Sequence, residues 1–191
     1  MNNPYQEHQI FDLVKVTLVQ VLGCDPKEVT ANAALVNDLN ADSLDFVEFR
    51  HILERQLGIV LPQKSVLEHL ATAVGGVDRI YEKGQITKFA ATVLQHSPFH
   101  YGDNQVEAGM LPYEIMNVTT AWNWASCCYA LFNHLPELCP NCNGAEAKLS
   151  PASKAICASC GSALKPQSGD AVLVNDLPQI LTLCTVEPEI V

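Results

Sequence analysis

Residues 35–50 read LVNDLNADSLDFVEFR, a loop followed by the start of a helix. Asp42 is suited to the N-cap position, because its carboxylate can accept hydrogen bonds from the free backbone amides of the first turn. Asp45 and Glu48 add negative charge in or just beyond that turn, where the helix dipole favours it. Ser43 is then the first helical residue, with an accessible hydroxyl at the junction of loop and helix. A phosphodiester on that hydroxyl would lie beside the positive end of the helix.

The residues on either side of this segment predict a bundle of short helices. Apolar residues at helical spacing, with a glycine just past them, predict a first helix that ends at Gly23. A polar loop over 25–42 connects it to the second helix, which ends near Gly58. Two shorter helices, over 63–70 and 73–82, would close the bundle.

Several short motifs in this region occur in one order and at one spacing. They are Leu22-Gly23, Glu28-Val29-Thr30, Asn32, Leu35-Val36, Asp38-Leu39, Ala41-Asp42-Ser43-Leu44-Asp45 and Val47-Glu48, followed by Ile59, Leu61-Pro62, Val77, Asp78 and Ile80. The pattern resembles an acyl carrier protein over about 80 residues, some two fifths of the chain. Because that family folds as a four-helix bundle, the resemblance implies an all-α four-helix carrier bundle over 1–84.

The resemblance also implies a function for this part of the chain. In the family, the serine of the Asp-Ser-Leu motif is esterified by 4'-phosphopantetheine. Ser43 is therefore expected to carry this group and to be modified by a phosphopantetheinyl transferase. The thiol of the group holds acyl intermediates as thioesters, so the protein itself needs no catalytic residue. We expect a carrier for fatty-acid, polyketide-like or other dedicated biosynthesis, and not an enzyme.

A docking surface beside Ser43 follows from the same resemblance. In the family, the exposed side of the second helix docks on basic patches of acyl-transferring, condensing or tailoring enzymes. Carried over position by position, this surface comprises Asp42, Leu44, Asp45, Val47 and Glu48. A solvated acidic helix face is the simpler interpretation of the same residues.

The chain departs from the family pattern beyond this surface. His51 and Arg55 stand where an apolar and an acidic residue are common, and residues 63–65 replace a frequent acidic cluster. The less acidic surface indicates a dedicated pathway with its own partners. Phe46 and Phe49 are large for a helix rim, and packing in the core is favoured for them over lining an acyl cleft.

A second set of motifs lies nearer the C-terminal end. Two Cys-x-x-Cys pairs, Cys139 with Cys142 and Cys157 with Cys160, are separated by fourteen residues. Two such turns can place four thiolates around one ion, and the spacing resembles a zinc ribbon. We expect a closed structural zinc site that helps a small segment to fold, with an iron site or a redox disulfide pair as alternatives. The glycines one or two residues after each pair are expected to let the backbone fold back.

The second half of the chain is less regular than the first. We place a boundary near Gly84, a mixed connecting and core segment over 85–136, and a zinc-ribbon-like module with its tail over 137–191. A helix is expected over 86–94, and a mostly apolar, aromatic-containing pattern over 119–135 is expected to form the core on which the ribbon packs. Short strands are expected from the tail, over 172–174 and 180–183. The predicted fold class is α+β.

Other side chains in this half have the chemistry of nucleophiles or ligands. Cys127 and Cys128 with His134 suggest a thiol nucleophile and its base, but no third residue to orient the base is identifiable, so core packing is favoured. His96 and His100 are four residues apart, but the proline between them argues against a helix that would bring them together.

Composition limits the range of functions. The 191 residues are 48% hydrophobic and 17% charged, as in a globular protein. A formal net charge of -10 argues against nucleic-acid binding and favours basic partners. The apolar runs are too short for a membrane-spanning helix, and the first twenty residues do not resemble a signal peptide, so a cytoplasmic protein is expected. Two other functions stay open: a small enzyme in the C-terminal half that acts on the tethered thioester, and an unmodified regulatory adaptor.

Overall fold

The computed structural model describes residues 1–186. Over these residues the chain forms seven helices and two antiparallel two-stranded sheets. The helices are α1 (Glu7–Leu22), α2 (Ser43–Leu57), α3 (Val66–Val74), α4 (Lys88–His96), α5 (Pro112–Val118), α6 (Ala121–Phe132) and α7 (Gly169–Val186). The strands are β1 (Tyr81–Glu82) paired with β2 (Gln85–Ile86), and β3 (Ala147–Leu149) paired with β4 (Ala155–Cys157). This mixture of helices and short strands confirms the predicted fold class.

The first helix ends, and the second begins and ends, where the sequence predicts. Gly23 and Gly58 follow α1 and α2 in the left-handed conformation, with φ of 64° and 73°, and the amide of each closes the last turn. The two helices pack against each other through buried aliphatic side chains such as Val14 and Leu53. The loop between them is held by buried side chains that include Leu35.

The predicted pair of short helices after α2 is wrong. The structure has one helix, α3, which Ser65 caps together with Glu68 and which ends at Gly75 with a φ of 78°. Residues beyond Gly75 form turns and then the β1–β2 hairpin, whose two-residue turn has positive φ at Lys83 and Gly84. The N-terminal part therefore contains three helices where four were expected.

A helix from the second half, α6, packs along α1. Its Phe132 ring lies 4.5 Å from the ring of Tyr5, and its Trp124 ring lies 5.5 Å from that of Phe49 on α2. Eight of the twelve residues of α6 are buried, as expected for a helix that other elements cover on most sides. It packs with α1 and α2 in one hydrophobic cluster, whereas α3 belongs to a second cluster with α4 and α7.

The predicted strands over 172–174 and 180–183 are wrong, because both segments lie within α7. The apolar residues Val172, Leu173, Leu177 and Ile180 recur at helical spacing and are buried, the last three in the cluster with α3 and α4. Pro178 is accommodated inside the helix.

Both hydrophobic clusters draw residues from either side of Gly84. The first joins Leu53 of α2 to Leu131 of α6, and the second joins Leu70 of α3 to Leu173 of α7. The two parts of the chain are thus in close contact, while the boundaries at 84 and 136 stay predictions. Within the described ranges, no helix combines the length and apolarity needed to cross a membrane.

Candidate functional site

Ser43 is the first residue of α2 and its side chain is exposed. Asp42 caps this helix as predicted: its Oδ1 accepts hydrogen bonds from the amides of Leu44 at 2.7 Å and Asp45 at 3.0 Å. In return, Oδ2 of Asp45 accepts from the Asp42 amide at 2.8 Å. The reciprocal bonds hold the backbone at Ser43 while leaving its hydroxyl accessible at the positive end of the helix.

The predicted docking residues lie together on the outer face of α2. Leu44 is 76% exposed and Val47 is 68% exposed, which is unusual for two aliphatic side chains one turn apart. Glu48 is also exposed, and Asp45 is half-buried. The face thus presents a small apolar patch edged by carboxylates, next to the Ser43 hydroxyl.

The inner face of α2 packs on aromatic residues of the second half. Phe49 is buried and meets the Trp124 ring edge-on, which confirms the predicted core role of this residue. Phe46 is half-buried, with its ring centroid 6.3 Å from that of Trp124. Phe99 contacts Trp124 from another side, at 5.5 Å. Trp124 is therefore the centre of an aromatic cluster that joins the two parts of the chain.

A cavity of about 340 Å³ opens beside this aromatic cluster. It lies between the segment 62–65, α3, α5 and α6, and Trp124 forms part of its wall. Other parts of the wall are apolar or aromatic residues, among them Val66, Phe99 and Ile115, and the lining also includes the charged residues Arg50, Lys64 and Glu68. Sequence reasoning missed this cavity, because it is assembled from segments far apart in the chain and no local pattern marks it.

The four cysteines of the two Cys-x-x-Cys pairs converge on one point. Their Sγ atoms all lie within 4.8 Å of one another, with 3.7 Å between Cys139 and Cys160 and 3.6 Å between Cys142 and Cys157. A tetrahedron of sulfurs about 2.3 Å from a central zinc has edges of about 3.8 Å, so the set has the size that such an ion requires. The cluster fits a zinc-ribbon-like module that can hold one metal ion.

Hydrogen bonds and neighbouring sulfurs change the pKa of some of these thiols. Ser162, through its hydroxyl and its backbone, lowers the pKa of the Cys160 thiol to about 6. The Gly144 backbone would lower the pKa of Cys142, but the neighbouring sulfurs outweigh it and raise that pKa to about 12. Four thiols so close together lose their protons in steps, and a cation at the centre favours the thiolates.

The turns at the two Cys-x-x-Cys pairs differ in backbone conformation. After Cys160, Gly161 has a φ of 73°, which agrees with the prediction that a glycine lets the backbone fold back. After Cys142, the left-handed conformation is taken by Asn143, with a φ of 57°. Gly144 is needed for a different reason. A Cβ at this position would lie 2.8 Å from Ser159 Oγ and 3.2 Å from Cys157 Sγ, so a side chain would press on the metal site.

The cysteine cluster is packed against the start of the chain. Cys139 and Cys157 are fully buried in the same hydrophobic cluster as α1 and α6. The hydroxyl of Tyr5 donates a hydrogen bond to the carbonyl of Ser153, and burial raises the pKa of Tyr5 to about 12. The terminal amino group of Met1 donates to the Pro136 carbonyl at 3.0 Å. The first residues thus connect α1 to the zinc-ribbon-like module.

Cys127 and Cys128 do not have the surroundings of a nucleophile. Both are fully buried in α6. Burial raises the pKa of Cys127 to about 12 and that of Cys128 well above its ordinary value, so the reactive thiolate is disfavoured. His134, the suggested base, lies 3.2 Å from a carboxylate oxygen of Asp176. These observations support the core role favoured for the two cysteines.

The two histidines around Pro98 do not form a metal site. His96 lies at the end of α4 with Nδ1 3.0 Å from the Thr92 carbonyl, whereas His100 lies beyond the helix with a φ of 48°. In the portion of the chain that the structure describes, the four-cysteine cluster is the group whose ligand atoms converge.

Comparison with known proteins agrees with the geometry at α2. Residues 12–75, from α1 through α3, match the family described as "Phosphopantetheine attachment site". The chain is 36% identical over 77 residues to the acyl carrier protein of Thermosynechococcus vestitus (strain NIES-2133 / IAM M-273 / BP-1), a match that covers 40% of this chain and 94% of that protein. No solved structure matches the chain. Through this N-terminal part, the protein belongs to the acyl carrier protein family.

Proposed function

We propose that the protein is a dedicated carrier of acyl intermediates, with 4'-phosphopantetheine attached to Ser43 by a phosphopantetheinyl transferase. The observation that carries the proposal is the exposed Ser43 hydroxyl at a capped helix start, inside the segment that matches the attachment-site family. When bound, the group supplies a thiol that holds an acyl group as a thioester. The chain's own contribution is to present that arm to partner enzymes.

The residues around Ser43 fit such a group. Ser43 is exposed, so its hydroxyl is accessible for attachment of a long arm. The reciprocal bonds between Asp42 and Asp45 hold the backbone on either side of the hydroxyl, so the transferase would meet one preformed conformation. A phosphodiester there lies near the positive end of α2.

The exposed face of α2 supports docking on enzymes with basic patches. Leu44 and Val47 would enter an apolar depression, while Asp45 and Glu48 would face lysine or arginine side chains around it. His51 and Arg55 are exposed further along the same helix. Their positive or neutral character favours partners specific to one pathway over the enzymes of general fatty-acid synthesis.

The proposal assigns zinc to the four-cysteine cluster and partner recruitment to the module around it. The buried side of the module packs against α1 and α6. Leu138, next to Cys139, is exposed. An apolar side chain held outward by a rigid metal site suits a protein contact better than a nucleic-acid contact, given the acidic chain. A cytoplasmic location, where thiols stay reduced, completes the proposal.

Mass spectrometry tests this function. Protein purified from its host is measured under native and then denaturing conditions, and fragmentation locates any adduct. The expected result is a phosphopantetheinyl group on Ser43 and one zinc ion in the native mass. Ser43→Ala should abolish the adduct, whereas Ser65→Ala, at the start of α3, should leave it in place. A bare Ser43 in the presence of a competent transferase would overturn the carrier function and favour the unmodified adaptor.

A further inference from the structure

The cavity beside Trp124 is a feature that the docking face of α2 does not explain. Part of its wall is formed by Phe99, Ile115 and Trp124, which lie outside the segment that matches the carrier family. We infer that this cavity anchors a partner enzyme, by receiving an apolar side chain from a partner loop that also presents a carboxylate. The inference rests on the proposed function, because it extends the docking surface of the carrier and names the chemistry of its partner.

The indole of Trp124 has an unused hydrogen-bond donor. The residue is 5% exposed and lines the cavity. Its Nε1 is the buried side-chain nitrogen or oxygen that has no hydrogen-bond partner within residues 1–186. A buried donor without an acceptor costs free energy, so such a group in a folded protein calls for an explanation. A backbone carbonyl of an inserted partner loop would supply the acceptor.

Exposed apolar side chains lie next to the cavity on two helices. Met116 of α5 lines the cavity and is 47% exposed, and Tyr113, one turn earlier, is exposed as well. On α2, the exposed Val47 of the docking face precedes Arg50 of the cavity wall by one turn. Residues three apart on a helix are neighbours on its surface, so the docking face continues to the cavity. Aromatic residues, methionine and arginine are the types enriched in protein interfaces.

The edge of the cavity favours an acidic partner segment. Arg50 and Lys64 are both in the lining, and neither forms an ion pair with any residue from 1 to 186. The guanidinium of Arg50 donates to the Pro62 carbonyl at 2.7 Å and has further N–H groups to offer. The carboxylate of Glu68 already accepts from the amide and the hydroxyl of Ser65, at 2.7 and 2.8 Å. Two cations are therefore available to a carboxylate of the partner.

The size of the cavity suits an anchor residue. Its volume of about 340 Å³ is near the lower end of ligand pockets, which range from about 300 to 1,000 Å³. Such a volume admits a side chain with the adjoining backbone. Anchor residues that fill well-packed pockets contribute most of the binding energy of many interfaces. A buried indole between apolar walls is a pocket of this kind.

The inference gives the second half of the chain a role in selecting the partner. The carrier segment by itself would lack the walls formed by α5 and α6. A matching enzyme needs a basic patch for the docking face of α2 and, beside it, an acidic loop with an apolar anchor. An enzyme with the basic patch alone would leave the cavity empty and would place its cations near Arg50 and Lys64, which disfavours it.

Photo-cross-linking in the host locates the partner segment. The photoreactive residue p-benzoyl-L-phenylalanine replaces either Val47, on the docking face, or Tyr113, next to the cavity, in the full-length chain. We expect both positions to capture the same enzyme, and the peptide captured at Tyr113 to contain an apolar residue beside Asp or Glu. Capture at Val47 alone, or a basic peptide at Tyr113, would overturn the inference and retain docking on α2. Capture at neither position would overturn both.

The sign of a charge reversal provides a second measurement, with the captured enzyme purified and its Kd determined by calorimetry. Lys64→Glu makes the carrier more acidic, so docking on basic patches alone predicts unchanged or tighter binding. The inference predicts binding that is weaker by about fivefold or more, because a carboxylate of the partner loses its cation. Lys27→Glu is the matched control, since Lys27 is exposed, does not line the cavity and undergoes the same change of charge. Unchanged or tighter binding by Lys64→Glu would overturn the inference.

The indole donor is tested with the same enzyme. Trp124→Phe keeps a ring in the aromatic cluster but removes the donor, and loss of one hydrogen bond should weaken binding about fivefold. Trp122→Phe is the matched control, because Trp122 packs on Phe11 and does not line this cavity. Since the chain has two tryptophans, this control also leaves one indole N–H signal, which should shift in nuclear magnetic resonance when the enzyme is added. Equal affinity of the two variants, or an unchanged signal, would contradict a role for the Trp124 donor.

Failure of the carrier function can be separated from failure of the inference. The binding measurements are made on protein that also contains Ser43→Ala, so no arm is attached and nothing carried on it can occupy the cavity. If Ser43 is bare in the host but Lys64→Glu still weakens binding, the anchoring pocket stands and the chain is an adaptor. If Ser43 carries the arm but Lys64→Glu does not weaken binding, the carrier function stands and the inference is overturned.

Discussion

The start of α2 and the four-cysteine cluster place their chemistry in opposite settings. Ser43, Leu44 and Val47 are exposed, so their side chains contribute little to the core. Cys139 and Cys157 are fully buried in a cluster shared with α1 and α6. The exposed site is therefore free to contact partners without affecting folding, whereas the buried site contributes to the stability of the fold. Four predictions test this contrast.

The largest effect is expected from the cysteine cluster. Cys139→Ser should lower the free energy of unfolding by at least about 4 kcal/mol, because it removes one of the four converging thiols inside the core, where we propose that a metal ion is held. Denaturant titration with and without a zinc chelator measures the loss. The control is Cys24→Ser, a half-buried thiol outside the cluster, for which a change below about 1 kcal/mol is expected. Equal effects of the two substitutions would show that the cluster does not hold a structural metal.

The next effect concerns the aromatic junction between the two parts. Phe49→Ala should lower the free energy of unfolding by about 3–5 kcal/mol. The reason is that removal of this buried ring, which contacts Trp124 edge-on, leaves a cavity. Phe46→Ala, at the half-buried position one turn earlier, should cost less than half as much. Thermal unfolding followed by tryptophan fluorescence compares the two. A larger loss of stability for Phe46→Ala than for Phe49→Ala would show that Phe49 is not the main contact between α2 and Trp124.

A moderate effect is expected at the helix cap. Asp42→Ala should lower the free energy of unfolding by about 1 kcal/mol, because the amides of Leu44 and Asp45 lose their acceptor. Ser43→Ala should change it by less than about 0.5 kcal/mol, since that side chain is exposed, while abolishing modification. Urea denaturation of both variants is the measurement. A strong destabilisation by Ser43→Ala would contradict the separation of function from folding at this site.

The smallest effect is pH-dependent and involves Asp170 at the start of α7. Burial opposes ionisation, but hydrogen bonds from His69 and from the amides of Lys64 and Gln63 outweigh it and lower the pKa of Asp170. A lowered pKa in the folded state stabilises the protein above the ordinary aspartate pKa of about 3.9, and the gain is lost as the pH falls through the folded value.

The measurement for this prediction is the free energy of unfolding from pH 6 down to pH 3. Asp170→Asn should be less stable than the natural chain near pH 6, and the gap should close toward pH 3. Asp176→Asn is the control, because Asp176 lies on the same helix and also faces a histidine, His134, at 3.2 Å. A gap that stays constant with pH would show that ionisation of Asp170 does not contribute.

Much of the N-terminal part could be predicted because its signals are local. Gly23 and Gly58 end helices by their own backbone preference, and Asp42 caps α2 with atoms two or three residues away. The Cys-x-x-Cys spacing likewise brings two sulfurs together within one turn. The difference at 63–82 has a local cause as well, because Gly75 and Gly76, both with positive φ, end α3 and prevent a second helix from following it directly.

The second half was harder to predict because its signals are not local. The segments 172–174 and 180–183 are short apolar runs, and periodicity alone does not distinguish a strand from a buried helix in such a run. The buried positions of α7 reveal the helical period only when Leu177 is counted with them. The cavity at Trp124 has no sequence signature at all, since its walls come from α3, α5 and α6.

Neighbouring residues in the chain are enough to place the capped start of α2 at Ser43, the ends of α1 and α2 and the two Cys-x-x-Cys pairs. The packing of α6 on α1, and of α3 on α4 and α7, is visible only in the folded structure. The reason is that an apolar face specifies burial without specifying the partner that covers it, and that choice depends on how the whole chain fills its core.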